Sequence, residues 1–315
     1  MTGGSSHRPA LTAVAAVGAV GVAAAVWGFG IERHLYAVRR HTLPILAPGS
    51  EPLRILHLSD VHMAPWQRRK QRWLAGLVDL KPDLIVNTGD NLGHREGLDG
   101  IRAAFEPLRG IPGVFVHGSN DVVAPQPRNP FLYLTGPSNS HRKVEKLDTD
   151  ALDDYLAGLG WTSVDNASTV LHVRGHRIDA FGVSDAHRRW DRLDLVPGLV
   201  DELREGDATD PSDDAPLTIG VTHAPYRRVL DAYTALGADI IFGGHTHGGQ
   251  VCVPGYGALV ANCDIPLRQA SGLSTWTHAR RTVPLNVSAG VGHSIYAPVR
   301  FACRPEVSLL TLVPR

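Results

Sequence analysis

Five short polar clusters follow one another in this chain of 315 residues. They are Asp60-Val61-His62, Gly89-Asp90, Gly118-Ser119-Asn120-Asp121, His223 and Gly243-Gly244-His245-Thr246-His247. Together they offer enough oxygen and nitrogen ligands for two metal ions, and such mixed ligands suit Mn, Fe, Zn or Mg. A pair of divalent ions can activate water and neutralise the charge that develops on a phosphate. The clusters therefore predict a metal-dependent hydrolase.

Two of the clusters pair ligands two residues apart. Asp60 and His62 share one side of an extended segment, so both can reach a single ion. His245 and His247 have the same spacing and can serve two different ions. Asp90 follows a glycine, which lets the backbone approach a metal closely, and its carboxylate can bridge both ions.

Asn120 and His223 add neutral ligands after other strands. Taken singly, each aspartate here is as well explained by a turn or a helix cap, which aspartate favours. A lone histidine after a strand is also common, so His223 depends on the other clusters. The agreement of all five in order and strand context favours the metal site.

The segments before the clusters predict buried strands that alternate with helices. Strands are expected at 53–58, 84–86 and 114–116, with helices at 67–80 and 98–108 between them. Such alternation predicts parallel strands with ligands gathered at their carboxyl ends. A further helix at 149–159 and strands at 169–173, 178–183, 217–222, 240–242, 283–288 and 307–312 follow.

An apolar segment near the amino terminus predicts one transmembrane anchor. Residues 10–30 carry no charge, and 21 residues suffice to span the hydrocarbon core as a helix. A cleaved signal peptide is the alternative, but its apolar region is normally shorter. Arg8 precedes the span in the tail 1–9, whereas Arg33, Arg39 and Arg40 follow it. Because positive residues prefer the cytoplasmic side, the count leans toward a cytoplasmic catalytic domain at the cell membrane, with the sidedness open.

The remaining boundaries follow from proline content and lost periodicity. Residues 31–52 are expected to be a linker, of which the proline-rich part 41–52 is an extended linker or an edge strand. The catalytic domain is then 53–315. The segment 122–147 predicts a long loop that either contacts substrate or is a solvated insertion. The acidic segment 201–216 predicts a surface loop.

Composition narrows the function further. Lys and Arg total 31, as do Asp and Glu, so no net charge favours nucleic acid. The 16 histidines exceed what a core needs and suit metal or proton chemistry. The three cysteines either include a Cys252–Cys263 bridge or are all small, partly buried residues.

The ordered clusters resemble the calcineurin-like metallophosphoesterase superfamily, whose pattern is Asp-x-His, Gly-Asp, Gly-Asn-His-Asp/Glu, His and Gly-His-x-His. The block 244–250 and the apolar segment are similar to its membrane-associated bacterial branch. The resemblance implies an α/β fold, an αββα sandwich of two mixed β-sheets flanked by helices. It also implies Asp60, His62, Asp90 and His247 on one ion, and Asp90, Asn120, His223 and His245 on the other.

One position departs from the family pattern. Asp121 stands where the family has the histidine that protonates the leaving group. Either Asp121 in protonated form takes that role, or His94, His117 or His293 does. A diphosphate needs the proton less, because its leaving group is already a stable anion.

These observations predict a phosphohydrolase in which a metal-bridging hydroxide attacks phosphorus. Asp90 would position the hydroxide and Asn120 would orient it. The expected substrate is a phosphodiester or diphosphate of a phosphorylated small molecule, nucleotide or lipid. The alternative is a non-catalytic, metal-stabilised scaffold at the membrane. Neither the substrate, the metal nor the oligomeric state follows from the sequence.

Two basic features allow two interpretations each. Arg300 either binds phosphate or lies at the surface. The run Arg68-Arg69-Lys70 is either a solvated helix start or a contact for anionic lipid headgroups.

Overall fold

Two six-stranded mixed sheets form the centre of the catalytic domain in this computed structural model, which describes residues 8–126, 145–207 and 215–315. In spatial order, the first sheet contains β1 (Ala37–Leu46), β14 (Glu306–Pro314), β2 (Leu53–Leu58), β3 (Leu84–Asn87), β4 (Gly113–Phe115) and β5 (Trp161–Ser163). The second contains β12 (Gly272–His278), β13 (Arg281–Val287), β9 (Ile240–Gly243), β8 (Leu217–Thr222), β7 (His176–Val183) and β6 (Ser168–Val173). A small hairpin joins β10 (Cys252–Val253) and β11 (Gly257–Ala258).

Helices cover the outer face of each sheet. The helices are α1 (Arg8–Val26), α2 (Arg68–Ala75), α3 (Leu98–Phe105), α4 (Ser119–Val122), α5 (Thr149–Leu159), α6 (Val196–Asp207) and α7 (Arg227–Ala235). One apolar cluster packs α2, α3 and α5 against the first sheet, and another packs α6 and α7 against the second. A third joins the two sheets face to face, as Ile55 of β2 and Ile219 of β8 illustrate. The predicted αββα sandwich is confirmed.

The central strands run parallel, so their carboxyl ends meet at one edge of each sheet. Strands β2 to β5 pair in parallel, as do β7, β8, β9 and β13. Strands β3 and β9 are buried at every position, because sheets and helices cover both their faces. Strand β2, strand β8 and helix α5 have the bounds that the sequence predicts.

Part of the predicted linker belongs to the sheet. Strand β1 lies at the edge of the first sheet and pairs in parallel with β14, with an irregularity after Pro44. An edge position tolerates a proline because one side of the strand has no partner. This corrects the linker assignment of 31–52 for ten residues and places the edge of the sheet before Leu53.

The strand β12 was not predicted. Its seven residues include Ser274 and Thr275, and only Trp276 is buried, so the apolar signal of a strand is missing. It forms because it pairs in antiparallel register with β13. Most of the loop predicted at 122–147 lies outside the described residues. The surface loop predicted at 201–216 is wrong for 201–207, which belong to helix α6, and the residues 208–214 lie outside the described residues.

The three cysteines are all free thiols. Cys252 and Cys303 are buried, and the thiol of Cys252 donates a hydrogen bond to the carbonyl oxygen of Gly248 at 3.1 Å. The bridge between Cys252 and Cys263 is therefore wrong, and the interpretation as small, partly buried residues is confirmed.

The apolar segment forms a continuous helical stretch. Helix α1 passes into a wider turn at Trp27–Ile31 and a tighter one at Glu32–His34. Within the described chain, Thr12–His34 is the one helix that is long and apolar enough to cross a membrane, judged by length and composition.

Candidate metal centre

The predicted ligands gather where the two sheets present the carboxyl ends of their strands. Asp60 follows β2, Asp90 follows β3 and Asn120 lies in the short helix after β4. His223 follows β8 directly, and His245 follows β9. The fold therefore brings ligands from both sheets to one edge, as the sequence predicts.

The backbone at this edge is strained. Asp60, His62, Asp90, His245 and His247 have φ values of 48°, 43°, 55°, 66° and 50°. Residues with side chains avoid this left-handed region, and each instance costs about 1–3 kcal/mol. Such strain persists where the surrounding structure fixes the backbone, and it concentrates at functional sites.

Two glycines allow the ligands to approach each other. A Cβ atom on Gly118 would collide with Oδ1 of Asp90, and one on Gly244 would collide with the hydroxyl of Ser59. Gly244 would also crowd Asp60 Oδ2, at 2.6 Å. The glycines of the sequence clusters thus serve close packing around the carboxylates.

Asp60, His62 and His247 form what we call the first half-site. The Nε2 atoms of His62 and His247 lie 3.2 Å apart, and Oδ1 of Asp60 lies 3.5 Å from Nε2 of His247. Oδ2 of Asp60 accepts hydrogen bonds from the Ser59 hydroxyl and the His245 amide. Oδ1 is buried and has no hydrogen-bond partner among the described residues. A free oxygen that faces two imidazole nitrogens suits a cation.

Asp90, Asn120 and His223 form the second half-site. Oδ2 of Asp90 accepts a hydrogen bond of 2.7 Å from the Asn120 side-chain amide and lies 3.6 Å from Nε2 of His223. His223 donates Nδ1–H to the carbonyl oxygen of Thr88 at 2.8 Å. When the ring is neutral, this bond leaves the lone pair on Nε2. The same oxygen of Asp90 lies 3.4 Å from Nε2 of His62, so Asp90 stands between the half-sites.

The donor set fits metal ions. The ligand atoms of Asp60, His62 and His247 lie within 4.8 Å of one another, as do those of Asp60, Asp90 and His223. Nε2 of His223 is buried and has no partner within the described chain, like Oδ1 of Asp60. Buried polar atoms without partners are costly, so a bound ion would account for both.

His245 lies beside these groups without joining either of them. Its ring centroid is 5.1 Å from that of His223, and its Nε2 lies 3.3 Å from the carbonyl oxygen of Asn262. The resemblance assigns it to the second ion, and its place next to His223 agrees with that half-site.

The two half-sites have opposite electrostatics. Burial, the Lys70 charge and the His223 charge lower the pKa of His62 to about 4, although nearby carboxylates oppose them. Burial also opposes a charge on His223, but Asp90, Asp185 and Asp60 together raise its pKa to about 9. Burial raises the pKa of Asp60 to about 6. A proton on His223 therefore occupies the place in which a cation would neutralise the carboxylates.

Asp121 is held by backbone amides. It is fully buried, and its carboxylate accepts hydrogen bonds from the backbone amides of Asn91, Leu92 and Gly118 at 2.7, 3.1 and 3.2 Å. A carboxylate that accepts three amide hydrogens holds loops together. These bonds favour a structural role for Asp121, and the catalytic role that the sequence suggests for it stays a prediction.

The three histidines considered as substitutes differ in position. His117 is buried and hydrogen-bonds Asp153 at 2.7 Å; burial opposes its charge, but Asp121 and Asp153 raise its pKa to about 10. His293 is also buried, and burial lowers its pKa. His94 is half-buried and contacts the exposed Trp66 edge-on.

The structure adds residues that the sequence analysis missed. Asp185 is buried after β7, and burial raises its pKa to about 6. The His187 ring lies 4.5 Å from that of His245, and its Nδ1 is 3.0 Å from the Tyr226 hydroxyl. Asp185-Ala186-His187 repeats the Asp-x-His pattern of Asp60-Val61-His62 directly after a predicted strand. That repetition was the available signal.

Two buried basic side chains support the first half-site from behind, and burial lowers the pKa of one of them, Lys70, to about 7. Nζ of Lys70 donates hydrogen bonds to the carbonyl oxygens of Val61 and His62 at 2.6 and 3.3 Å. Arg300 is fully buried and donates to the carbonyl oxygens of His247 and Ala289 at 2.9 and 2.7 Å. Arg300 is thus not a surface residue, so that interpretation is wrong, and the phosphate interpretation stays a prediction.

Comparison with known proteins places this geometry in a family. The family model described as calcineurin-like phosphoesterase matches residues 53–249. Phosphodiesterase YaeI of Escherichia coli (strain K12) is 26% identical over 295 residues, which cover 91% of this chain and 93% of that protein. A transmembrane protein with metallophosphoesterase domain from Bos taurus is 25% identical over 286 residues, which cover 86% of this chain and 55% of that protein.

A partial likeness to a solved structure accompanies these matches. The 5'-nucleotidase precursor from Thermus thermophilus superimposes with a TM-score of 0.45 and 14% identity over 84% of this chain. This chain spans about half of that structure, 54% of its length.

Proposed function

Because this chain belongs to the calcineurin-like phosphoesterase family, we propose that it is a membrane-anchored hydrolase that cleaves a phosphodiester or diphosphate with two divalent metal ions. One observation carries the proposal. Two overlapping groups of buried ligand atoms share Asp60, and Oδ1 of Asp60 and Nε2 of His223 have no hydrogen-bond partner among the described residues. Mn, Fe, Zn and Mg all suit such ligands.

When bound, the two ions would activate water for attack on phosphorus and neutralise the charge that develops on the phosphoryl oxygens. Asp90 is placed to contact both half-sites, because its Oδ2 lies 3.4 Å from His62 Nε2 and 3.6 Å from His223 Nε2. Asn120 fixes that carboxylate through two hydrogen bonds, one from its backbone amide and one from its side chain. Thr88 fixes the tautomer of His223.

The leaving group narrows the substrate class. With Asp121 buried in hydrogen bonds to the backbone, the position after Asn120 offers no acid to the site. A leaving group that is stable as an anion, such as a phosphate or an acidic alcohol, tolerates this absence. The phosphodiesterase name of the relative YaeI supports a diester over a simple phosphate monoester.

We place the domain at the cell membrane, anchored by Thr12–His34, with the lean toward the cytoplasmic side that the flanking arginines give. A transmembrane relative supports the anchor. The substrate would be a phosphorylated small molecule or lipid, and the balanced charge speaks against nucleic acid.

The test uses the full chain in detergent, because removal of residues up to His41 or Leu53 would delete all or part of β1. The protein is stripped of metal, reloaded with each of the four metals, and assayed on bis(4-nitrophenyl) phosphate and on a diphosphate ester. We expect metal-dependent turnover that Asp90→Ala abolishes. Bound metal without turnover on either compound would instead support the non-catalytic scaffold.

A further inference from the structure

The apolar helix is fastened to the catalytic domain. The buried carboxylate of Glu32 accepts hydrogen bonds from the amides of Ala302 and Cys303 at 3.0 and 2.7 Å. Nε of Arg304 donates to the carbonyl oxygen of Leu35 at 2.8 Å. These bonds tie the end of the helix to the loop that precedes β14.

Close backbone packing adds to the attachment. The amide of Arg300 donates to the carbonyl oxygen of Gly28 at 3.2 Å. A Cβ atom at Gly28 would lie 3.1 Å from the Arg300 carbonyl oxygen and from a methyl group of Val299, so the glycine permits this approach. The domain therefore has one orientation relative to the helix axis, and one part of its surface lies next to the helix end.

The amino-terminal turn of α2 occupies that part of the surface. Tyr36, just beyond the helix, stacks on Trp73 of α2 with ring centroids 5.0 Å apart. Burial raises the pKa of Tyr36 to about 12, while the nearby positive charges of Arg69 and Arg33 act in the opposite direction. Arg69 lies one helical turn before Trp73 on the same face of α2, which places it on the side of α2 that Tyr36 contacts.

Exposed aromatic and basic side chains lie at the end of the helix and at the start of α2, with Arg33 half-buried between them. Trp27, Phe29 and Trp66 are 43%, 51% and 61% exposed. The exposed side chains of Arg68 and Arg69 make no hydrogen bond or ion pair within the described chain. We call the following set the juxtamembrane face: Trp27, Phe29, Arg33, Trp66, Arg68 and Arg69.

This composition matches the interface of a membrane. Tryptophan concentrates at the level of the lipid headgroups, and arginine near the surface is attracted by anionic lipids. The face is continuous with an apolar helix that is long enough to span a bilayer, which a docking surface for a soluble protein does not require.

Two buried side chains connect the juxtamembrane face to the first half-site. Lys70, next to Arg69, donates to the carbonyl oxygen of His62. Arg300, whose amide binds Gly28, donates to the carbonyl oxygen of His247. The side chains of Lys70 and Arg300 therefore link the helix junction to the predicted metal ligands His62 and His247.

We propose that the juxtamembrane face rests on anionic lipid headgroups and holds the metal centre at the bilayer surface, where the membrane presents the phosphoester that is cleaved. This inference rests on the proposed anchor and hydrolase, and it commits the substrate to the lipid surface. It also selects the lipid contact over the solvated helix start for Arg68 and Arg69.

The docking is tested with the full chain in nanodiscs of phosphatidylcholine that contain phosphatidylglycerol brominated near the headgroup. The difference in tryptophan emission between the wild type and Trp66→Phe isolates Trp66 among six tryptophans. We expect bromine to quench this emission. The double variant Arg68→Gln/Arg69→Gln should lower the ratio of docked to undocked domain roughly thirtyfold, since each arginine near an anionic surface contributes a factor of about five.

A matched double variant, Arg174→Gln/Arg280→Gln, removes two charges from the opposite edge. Arg174 precedes β7 and Arg280 precedes β13, at the amino ends of these strands. Its quenching should equal that of the wild type. Equal quenching in both double variants, or none in the wild type, would overturn the docking.

Activity separates this inference from the proposed function. Turnover of bis(4-nitrophenyl) phosphate should be equal in the wild type and Arg68→Gln/Arg69→Gln. A 4-nitrophenyl alkyl phosphodiester embedded in the nanodiscs should be cleaved at least tenfold more slowly by the variant, in line with its weaker docking. Equal rates on the embedded substrate overturn presentation by the membrane. If the wild type cleaves neither compound, the proposed function fails, while the quenching still decides the docking.

Discussion

The first half-site is backed by the buried Arg300 and by Lys70, whose pKa burial lowers to about 7, whereas the second is surrounded by carboxylates. Lys70 and Arg300 donate to the backbone of the first, and its His62 has a pKa of about 4. Asp90 and Asp185 lie near His223 in the second and raise its pKa to about 9, against the effect of burial. Two imidazoles a few ångströms apart thus differ in protonation across neutral pH.

This difference implies that the two half-sites would bind their ions in different electrostatic environments. Around the second half-site the carboxylates attract a cation, and a proton competes for the same place. At the first half-site the neutral imidazoles offer lone pairs, but the positive charges behind them oppose a cation. Asp60 and Asp90 therefore supply the negative charge on which the first half-site depends.

Removal of the shared carboxylate should break both half-sites. In Asp90→Asn, one amide oxygen replaces a charged oxygen pair between them, so we expect the loss of at least one bound ion and a fall in turnover of about a thousandfold or more. Elemental analysis and initial rates of the full chain measure both. Asp99→Asn, exposed on α3, is the control and should change neither. Two retained ions and normal turnover would show that Asp90 does not join the half-sites.

Asp121→Asn should cost stability without changing the proton chemistry. The variant weakens hydrogen bonds from three buried amides, which we expect to lower the free energy of unfolding by about 2–4 kcal/mol. Chemical unfolding measures this loss, with the exposed Asp150→Asn as control. The fall of kcat at high pH should be the same in this variant as in the wild type. Its disappearance in Asp121→Asn would support the acid role.

The pH dependence of metal binding should separate the half-sites. His223 is protonated below pH 9 in the metal-free protein, so an ion that binds the second half-site must release that proton. Its affinity should fall about tenfold for each pH unit as the pH is lowered from 9 to 6.

Over the same interval the first half-site should change little, because His62 is neutral above pH 4 and Asp60 is ionised above pH 6. Calorimetric titrations with manganese at three pH values measure how the affinity of each half-site changes with pH. Repeating them in buffers of different ionisation enthalpy gives the number of protons released on binding. His223→Gln should abolish the steeper dependence on pH. Equal slopes at the two half-sites would contradict the comparison.

His187→Ala should have the smallest effect. The His187 ring packs 4.5 Å from that of His245 and extends the second half-site toward Tyr226, so we expect turnover to fall about tenfold with the metal content unchanged. Rates and elemental analysis are compared with those of His172→Ala, an exposed control on β6. Loss of metal in His187→Ala would make His187 a ligand.

The sequence by itself determined the strands that carry the clusters and the membership of the phosphoesterase family. The residue types and spacing of clusters such as Asp60-Val61-His62 indicate their chemistry, and apolar runs indicate the strands before them. Both are local signals. Parallel strands then bring their carboxyl ends to one edge, which is why the sequence also predicted that these clusters would meet.

Only the tertiary structure decided what surrounds the ligands. Arg300 became a buried support of His247, Asp121 an acceptor of backbone amides, and β1 an edge strand next to β14. Each outcome depends on a group brought from a distant part of the chain or from the other side of a loop. Residue type and spacing contain no record of such partners, so the charge around each half-site could be seen only in the folded protein.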